Sequence, residues 1–296
     1  MYHYVREIRC SRFPAIKGLE LQDFREQLGY LRKHYTPVSL QDCVEALDDP
    51  NRLPPNPVLL TFDDGYLDHF TSVFPLLFDL KVPGAFFPPG KAIMQRKPLD
   101  VNKIHFLLAS TEKPGALVPE IFLLLDQNRL EFNLPSNEAL YKELATGSRF
   151  DGPDVNFIKR LLQKRLPLSL RSKIIDRLFQ KYVSRDEAAF AQELYLSVDQ
   201  IRCMMKNGMH FGAHGWGHCW LNSISVEEQE AELDRSLEFL GHIGVSQHGW
   251  AMCYPYGAYN DLTLGLLARK GCVIGLTTQV NIAELHPSKA LILPRL

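Results

Sequence analysis

The chain of 296 residues is 46% hydrophobic and 23% charged, with a formal net charge of -1. That composition suits a globular protein with room for one large α/β domain or two smaller ones, and the near-zero charge gives no reason to expect nucleic acid or an anionic membrane surface as partner. No apolar run approaches the ~18 residues of a membrane span, and the N-terminus lacks the basic-then-apolar pattern of a signal peptide. The six cysteines are scattered with no C-x-x-C pair, so reduced thiols and a cytoplasmic location are expected.

Met1-Tyr2-His3-Tyr4-Val5 opens the chain on a β-prone run, followed by a loop containing Pro14 and Gly18. Leu21, Phe24, Leu28 and Leu31 then recur at helical spacing and predict a helix ending near Tyr35. Ser39 with Asp42 makes a capping-box start for a short helix through Leu47. The link Pro54-Pro55-Asn56-Pro57 excludes helix and central strand. It leads into Val58-Leu59-Leu60-Thr61-Phe62-Asp63-Asp64-Gly65, an apolar run that ends abruptly in two carboxylates and a glycine. This is the pattern of a buried strand delivering charge to the rim of a parallel sheet.

Leu67, Phe70, Phe74, Leu77 and Phe78 mark a helix bent at Pro75, and Gly84-Ala85-Phe86-Phe87 a strand closed by Pro88-Pro89-Gly90. Strand, helix and strand make a βαβ unit, hence a parallel sheet. From residue 96 to 194, leucine-rich helical patterns alternate with polar loops and nothing looks chemical. This stretch reads as a helical insertion or lid within a single domain spanning 1–296.

The strand–helix rhythm then resumes. Ser197 caps a helix stopped at Gly208, and Met209 to Ala213 is a strand ending at His214-Gly215-Trp216-Gly217-His218. Ser225 and Glu228 cap a helix to Gly241. Trp250 to Cys253 is a strand ending at Tyr254-Pro255-Tyr256-Gly257, Asn260 caps a helix stopped at Gly271, and Cys272 to Leu276 and Leu291 to Leu293 are the last strands. The repeated unit implies a barrel or a wound sheet.

Three strands thus end in unusual polar loops, at Asp63-Asp64, His214 to His218, and Pro255-Tyr256. In parallel α/β architectures such ends share one face and can converge. Glycines at 215 and 217 argue against a helix between His214 and His218, but a loop can still bring both imidazoles onto one ion. Two histidines with a carboxylate make a common open catalytic site. Of two adjacent carboxylates, one can face a cation while the other serves as a base.

Thr61-Phe62-Asp63-Asp64-Gly65, the His-x-x-x-His strand end and the Pro255-Tyr256-Gly257 loop together resemble the polysaccharide deacetylases of the NodB-homology type, carbohydrate esterase family 4. The resemblance covers roughly residues 58–90 and 197–278. It implies a distorted (β/α) barrel that removes N-acetyl groups from amino sugars with one divalent metal. Carried onto this sequence, it makes Asp63 the general base and gives the metal to Asp64, His214 and His218. The backbone N–H of Tyr256, in the loop with Pro255, would stabilise the oxyanion. Trp216 is a candidate for stacking on a sugar. Zinc is the first expectation for the ion; iron, cobalt, nickel and manganese also suit these donors.

The sequence departs from the family in two places. Where the third motif carries an Arg that pairs with the base, Cys253 stands here, and Arg295 is the candidate replacement. The late Leu-x-x-His motif of the general acid is missing, because His286 is followed by Pro287 in a loop. Some family members resemble circular permutations with a Tyr-His strand near the N-terminus, which makes His3 the candidate acid. His69, one helical turn past Asp64, reads as a surface or supporting residue. The resemblance implies an N-acetylated sugar or surface-polysaccharide precursor as substrate. A metal-dependent amidohydrolase on a non-sugar amide and an inactive glycan-binding relative are the alternatives.

Overall fold

The computed structural model describes residues 1–148 and 151–296 and divides into two compact units. The first comprises Met1–Glu7, Gly18–Lys97 and Ala191–Leu296, the second Ile8–Lys17 and Pro98–Phe190.

The first unit is built on a parallel ladder. Its regular strands are β1 (Leu60–Asp63), β2 (Gly84–Phe87), β3 (His210–Phe211), β4 (Trp250–Cys253) and β5 (Cys272–Leu276). β1 pairs with β2, β2 with β3 and β4 with β5, all parallel. Single parallel bridges extend the ladder: Tyr2 to Phe62, Ala213 to Met252, and Leu276 to Leu293. The order from Tyr2 to Leu293 is continuous, and Arg295 just beyond it hydrogen-bonds Thr61 and Asp63 on β1. The ladder therefore curls round until its far edges meet, as the predicted α/β barrel requires.

Alternation along β1 separates two environments. Phe62 packs outward among Tyr2, Phe24 and Phe86, beneath the helix Leu21–His34. Thr61 and Asp63 point the other way. The barrel interior is filled by Ala85, Phe87, Ala251, Cys253, Ile274, Leu276 and Leu293, together with Val38, Leu40 and Cys43. The last two come from the helix Leu40–Glu45, whose Ser39–Asp42 capping box forms as the sequence predicts. The capping boxes at Ser197, Ser225 and Asn260 also form. The first stretch thus closes the barrel with apolar side chains, and the polar strand ends are left at its other mouth.

Four local features differ from the sequence expectation. Val58 does not extend β1; Pro57–Val58 pairs with Thr36–Pro37, and Pro57 is tolerated in so short a strand. The helix after Asp64 is a π-turn over His69–Val73 followed by α-helix over Phe74–Asp79, and the change of pitch accommodates Pro75, which has no N–H to donate. The helix from Val226 runs past Gly241 to Ile243 and stops at Gly244, whose φ of 98° is the left-handed cap. Leu291 and Ile292 belong to a 3-10 turn, Pro287–Ile292, so the expected last strand shrinks to the bridge at Leu293.

The second unit is helical, with helices over Asp100–Ala109, Val118–Asn128, Asn137–Leu144, Pro153–Arg160 and Leu168–Tyr182. Its core includes Ile104, Ile121, Leu125, Phe157 and Leu178. The segment Ile8–Lys17 belongs to it: Phe13 stands edge-on to Phe106 with ring centroids 5.0 Å apart. Lys103 is fully buried and neutralised by Asp176 at 2.5 Å and Glu187 at 2.8 Å. No helix among the described residues is long and apolar enough to cross a membrane.

Candidate metal centre

Asp64 follows directly on β1, and its backbone turns into the left-handed region at φ 72°. That turn separates it from Asp63, whose side chain stays in the barrel with the strand's alternation. Gly65 continues the turn at φ 64°, and a Cβ there would stand 2.5 Å from the Pro88 side chain. Only glycine fits this position. His218 (φ 56°) and Tyr256 (φ 58°) also adopt left-handed backbone, so three of the seven such non-glycine residues described lie at this mouth. Strain of this kind collects where a site must hold a particular geometry.

The Asp64 Oδ1 atom lies 3.4 Å from His214 Nε2 and 3.3 Å from His218 Nε2. The other oxygen, Oδ2, accepts a hydrogen bond from Tyr66 Oη at 2.6 Å. Oδ1 itself is buried and has no hydrogen-bond partner among the described residues. The Nδ1 of His214 is 2.7 Å from the Cys253 carbonyl, to which it donates, so the lone pair of its Nε2 is turned to Asp64. Burial drives the pKa of His218 below its ordinary value, which favours the neutral imidazole a metal requires. Burial works against the Asp64 carboxylate, but the two imidazoles outweigh it and hold its pKa well below the usual range. Three lone-pair donors, mutually within 4.8 Å, face one point. With no ion bound, a proton on His214 takes its place: burial opposes that proton, but Cys253 and the Asp64 carboxylate outweigh burial and raise the His214 pKa well above its ordinary value. The donor set therefore fits a divalent ion, and two imidazoles, a carboxylate and open positions are the pattern of a mononuclear hydrolytic centre.

Asp63 sits beside this cluster in a different environment. Arg295 grips it in parallel, Nη1 to Oδ1 at 2.9 Å and Nη2 to Oδ2 at 2.8 Å. The same guanidinium donates to Cys253 Sγ at 3.1 Å, to Thr61 Oγ1 at 3.2 Å and to the Thr277 carbonyl at 2.9 Å. Burial would raise the Asp63 pKa, yet the Arg295 charge dominates and holds it far below the carboxylate norm. Arg295 thus approaches across the space that the small Cys253 side chain leaves.

His3 reaches the same mouth, with Nε2 3.9 Å from Asp63 Oδ2 and its side chain 45% exposed. His286 does not come to the site; its Nδ1 caps the turn at Ser288 on the surface. Of the two readings of His69, a surface or a supporting residue, the structure matches the second. His69 is fully buried, and its Nε2 lies 2.9 Å from the His3 carbonyl, so it anchors the His3 backbone. Trp216 packs over Gly90, where a Cβ would come within 2.7 Å of the indole. The aromatic wall at the cluster is instead Trp220 stacked on Tyr256, with centroids 4.3 Å apart and planes 5° from parallel, and Tyr256 also stands against His218 at 4.7 Å. Sequence reasoning missed Tyr66 and Trp220. Each is one or two residues from a motif position, but nothing in the residue order says which way a loop side chain turns.

A parallel α/β barrel with a His-His-Asp cluster at the strand ends and a second, arginine-bound carboxylate beside it defines the class: a hydrolase with a candidate metal centre. The model of the family "Polysaccharide deacetylase" matches residues 51–106 and 174–274. Among curated proteins, the poly-beta-1,6-N-acetyl-D-glucosamine N-deacetylase of Escherichia coli (strain K12) is 43% identical over 85 residues, which are 28% of this chain and 12% of that relative. The chain thus matches only a small part of that relative's length. Two solved structures share the fold over the whole chain. The Streptococcus pyogenes deacetylase PplD in complex with acetate superposes with a TM-score of 0.61 at 18% identity, covering 89% of that chain. IcaB from Ammonifex degensii gives 0.55 at 17%, also covering 89%. This chain belongs to the polysaccharide deacetylase family.

Proposed function

We propose that this chain is a metal-dependent N-deacetylase that removes acetyl groups from the amino sugars of a polysaccharide. The observation that carries the reading is the division of labour between neighbouring carboxylates. Asp64 faces two imidazoles, whereas Asp63 faces a guanidinium and His3. A divalent ion held by Asp64, His214 and His218 supplies Lewis acidity toward the acetamide carbonyl and the attacking water.

The chain's own groups do the rest. Asp63, kept ionised by Arg295, takes the proton from the attacking water. His3, partly open to solvent, delivers a proton to the departing amine. The strained Tyr256 backbone holds its N–H for the developing oxyanion, and the Trp220–Tyr256 stack offers an aromatic wall to the sugar. Tyr66 holds Asp64 by one oxygen and leaves the other for the ion.

The substrate class is supported by the Escherichia coli relative, whose name makes poly-β-1,6-N-acetyl-D-glucosamine the first polymer to test. The experiment compares acetate release from oligomers of that polymer with release from simple acetamides, for the wild type and Asp63→Asn. Acetate from the oligomers, lost in Asp63→Asn while the metal stays bound, is the expected result. Undiminished activity of Asp63→Asn would sink the assignment, and turnover of simple amides alone would favour a non-sugar substrate. A purified protein with no affinity for divalent ions would favour a glycan-binding role.

A further inference from the structure

The glycines of the His214-Gly-Trp-Gly-His218 loop are not explained by metal ligation. One charged side chain stands against both of them. Glu232, on the helix Val226–Ile243, accepts the Gly217 N–H at Oε2 over 2.7 Å. Its carboxylate lies so close under the loop that a Cβ at Gly217 would stand 3.0 Å from Oε1, and one at Gly215 would stand 3.7 Å from Oε2. The loop is also tied from its other side. The Lys91 N–H donates to the Trp216 carbonyl at 3.0 Å, and the Gly90 N–H donates to that of Gly215 at 3.4 Å.

The two histidines differ in how they are aimed. His214 is fixed through its ring, by the bond from Nδ1 to the Cys253 carbonyl. The Nδ1 of His218 is buried with no hydrogen-bond partner among the described residues. Its ring direction is therefore set by its backbone, in a left-handed conformation one residue past the Gly217 amide, and by the edge of Tyr256. A backbone device takes the place of the usual second-nitrogen hydrogen bond to a metal-binding imidazole.

The geometry points to Glu232 as the positioning residue of His218: its carboxylate locks the Gly217 amide and thereby presets the second imidazole for the ion. This rests on the metal-site reading above. Glycine at 217 then has a physical reason, since a Cβ there would press on Oε1 at 3.0 Å and the carboxylate would have to give way by a few tenths of an ångström. The helix that carries Glu232 is started by the Ser225–Glu228 capping box, which fixes the register of its second turn.

Metal-free wild type, Glu232→Ala and Glu232→Gln are titrated with zinc alone by calorimetry, and amide exchange at Gly217 is followed by mass spectrometry. Glu232→Ala is expected to bind zinc about 10–100-fold more weakly, the usual scale for losing a group that orients a ligand, with faster exchange at Gly217. Glu232→Gln keeps an acceptor oxygen and should stay close to wild type in both. Wild-type zinc affinity in Glu232→Ala overturns the proposal, as does an equal loss in both variants, which would assign the effect to charge. If Glu232→Ala does not fold, Glu232→Asp, whose shorter side chain draws the carboxylate back from the Gly217 amide, carries the same test: weakened zinc binding with faster exchange at Gly217 supports the lock, and unchanged binding despite faster exchange overturns it. A wild type that binds no zinc breaks the metal-site reading, and the exchange rates then decide separately whether Glu232 holds the loop.

Discussion

Arg295 and Asp63 meet fork to fork, with two nearly parallel hydrogen bonds of 2.9 and 2.8 Å between groups shut away from solvent. A bidentate guanidinium–carboxylate pair fixes orientation as well as charge. In a barrel whose interior is mostly apolar, each of the two residues depends on the other's presence. Arg295→Met leaves Asp63 as an unpaired buried charge and should cost about 3–5 kcal/mol of stability, read from urea unfolding. Arg295→Lys keeps the charge but cannot form the fork. Acetate release should then fall by about 10²-fold through misplacement of the base, with metal affinity little changed. A fully active Arg295→Lys protein would show that orientation of Asp63 is not limiting.

The two histidines considered for the general acid separate cleanly. His3 is 3.9 Å from Asp63, and its side chain is nearly half exposed. His3→Ala should lower deacetylation by about 10²–10⁴-fold while shifting stability by only about 0.5 kcal/mol. His286, committed to Ser288 at the surface, should be replaceable by alanine without effect on turnover. Steady-state rates of the two variants decide the matter, and the reverse pattern would transfer the role.

His69 makes stability depend on pH. Burial lowers its pKa from 6.5 to about 4, outweighing the support of the His3 carbonyl. The native state keeps this imidazole neutral, whereas the unfolded chain protonates it below pH 6.5. Its contribution is complete above that value and is lost as pH falls toward 4, amounting to about 3 kcal/mol over the window. His69→Gln retains a donor toward the His3 carbonyl and does not titrate. Its unfolding free energy should therefore fall less steeply between pH 6.5 and 4 than that of the wild type. Parallel profiles in chemical denaturation would show that His69 is not the titrating group.

Metal binding should appear as added stability. A divalent ion that binds the native cluster alone contributes about 2.7 kcal/mol at a free concentration one hundred times its Kd. Zinc should raise the melting temperature of the wild type and leave His214→Ala and Asp64→Ala nearly unmoved. A chelator should abolish acetate release and restore the metal-free melting temperature. An equal thermal response of all three proteins would place the ion elsewhere.

The order of elements was legible in the residues because their signals are local. Helical spacing in Leu21 to Leu31, side-chain caps at Ser39, Ser197, Ser225 and Asn260, and apolar runs ending at Asp63 and Cys253 each depend on neighbours a few positions away. The departures of the real elements from that reading have equally local causes. Pro75 alters the pitch of its helix, and Gly244 rather than Gly241 takes the left-handed cap.

The residue types at the strand ends by themselves determined which groups are available for chemistry: Asp63, Asp64, His214, His218 and the Tyr256 loop. Which of them face one another depended on the tertiary structure. Arg295 is 232 positions from Asp63 along the chain and reaches it only because the ladder curls and Cys253 leaves space. His69 reads in the sequence as either a surface or a supporting position, and only the fold buries it under His3. Trp216 and Trp220 are indistinguishable as letters, and backbone turns at Gly215 and His218 send one onto Gly90 and the other onto Tyr256. Side-chain direction in a loop is set by φ and ψ at each residue and by what the fold brings opposite, and neither is a property of the local sequence.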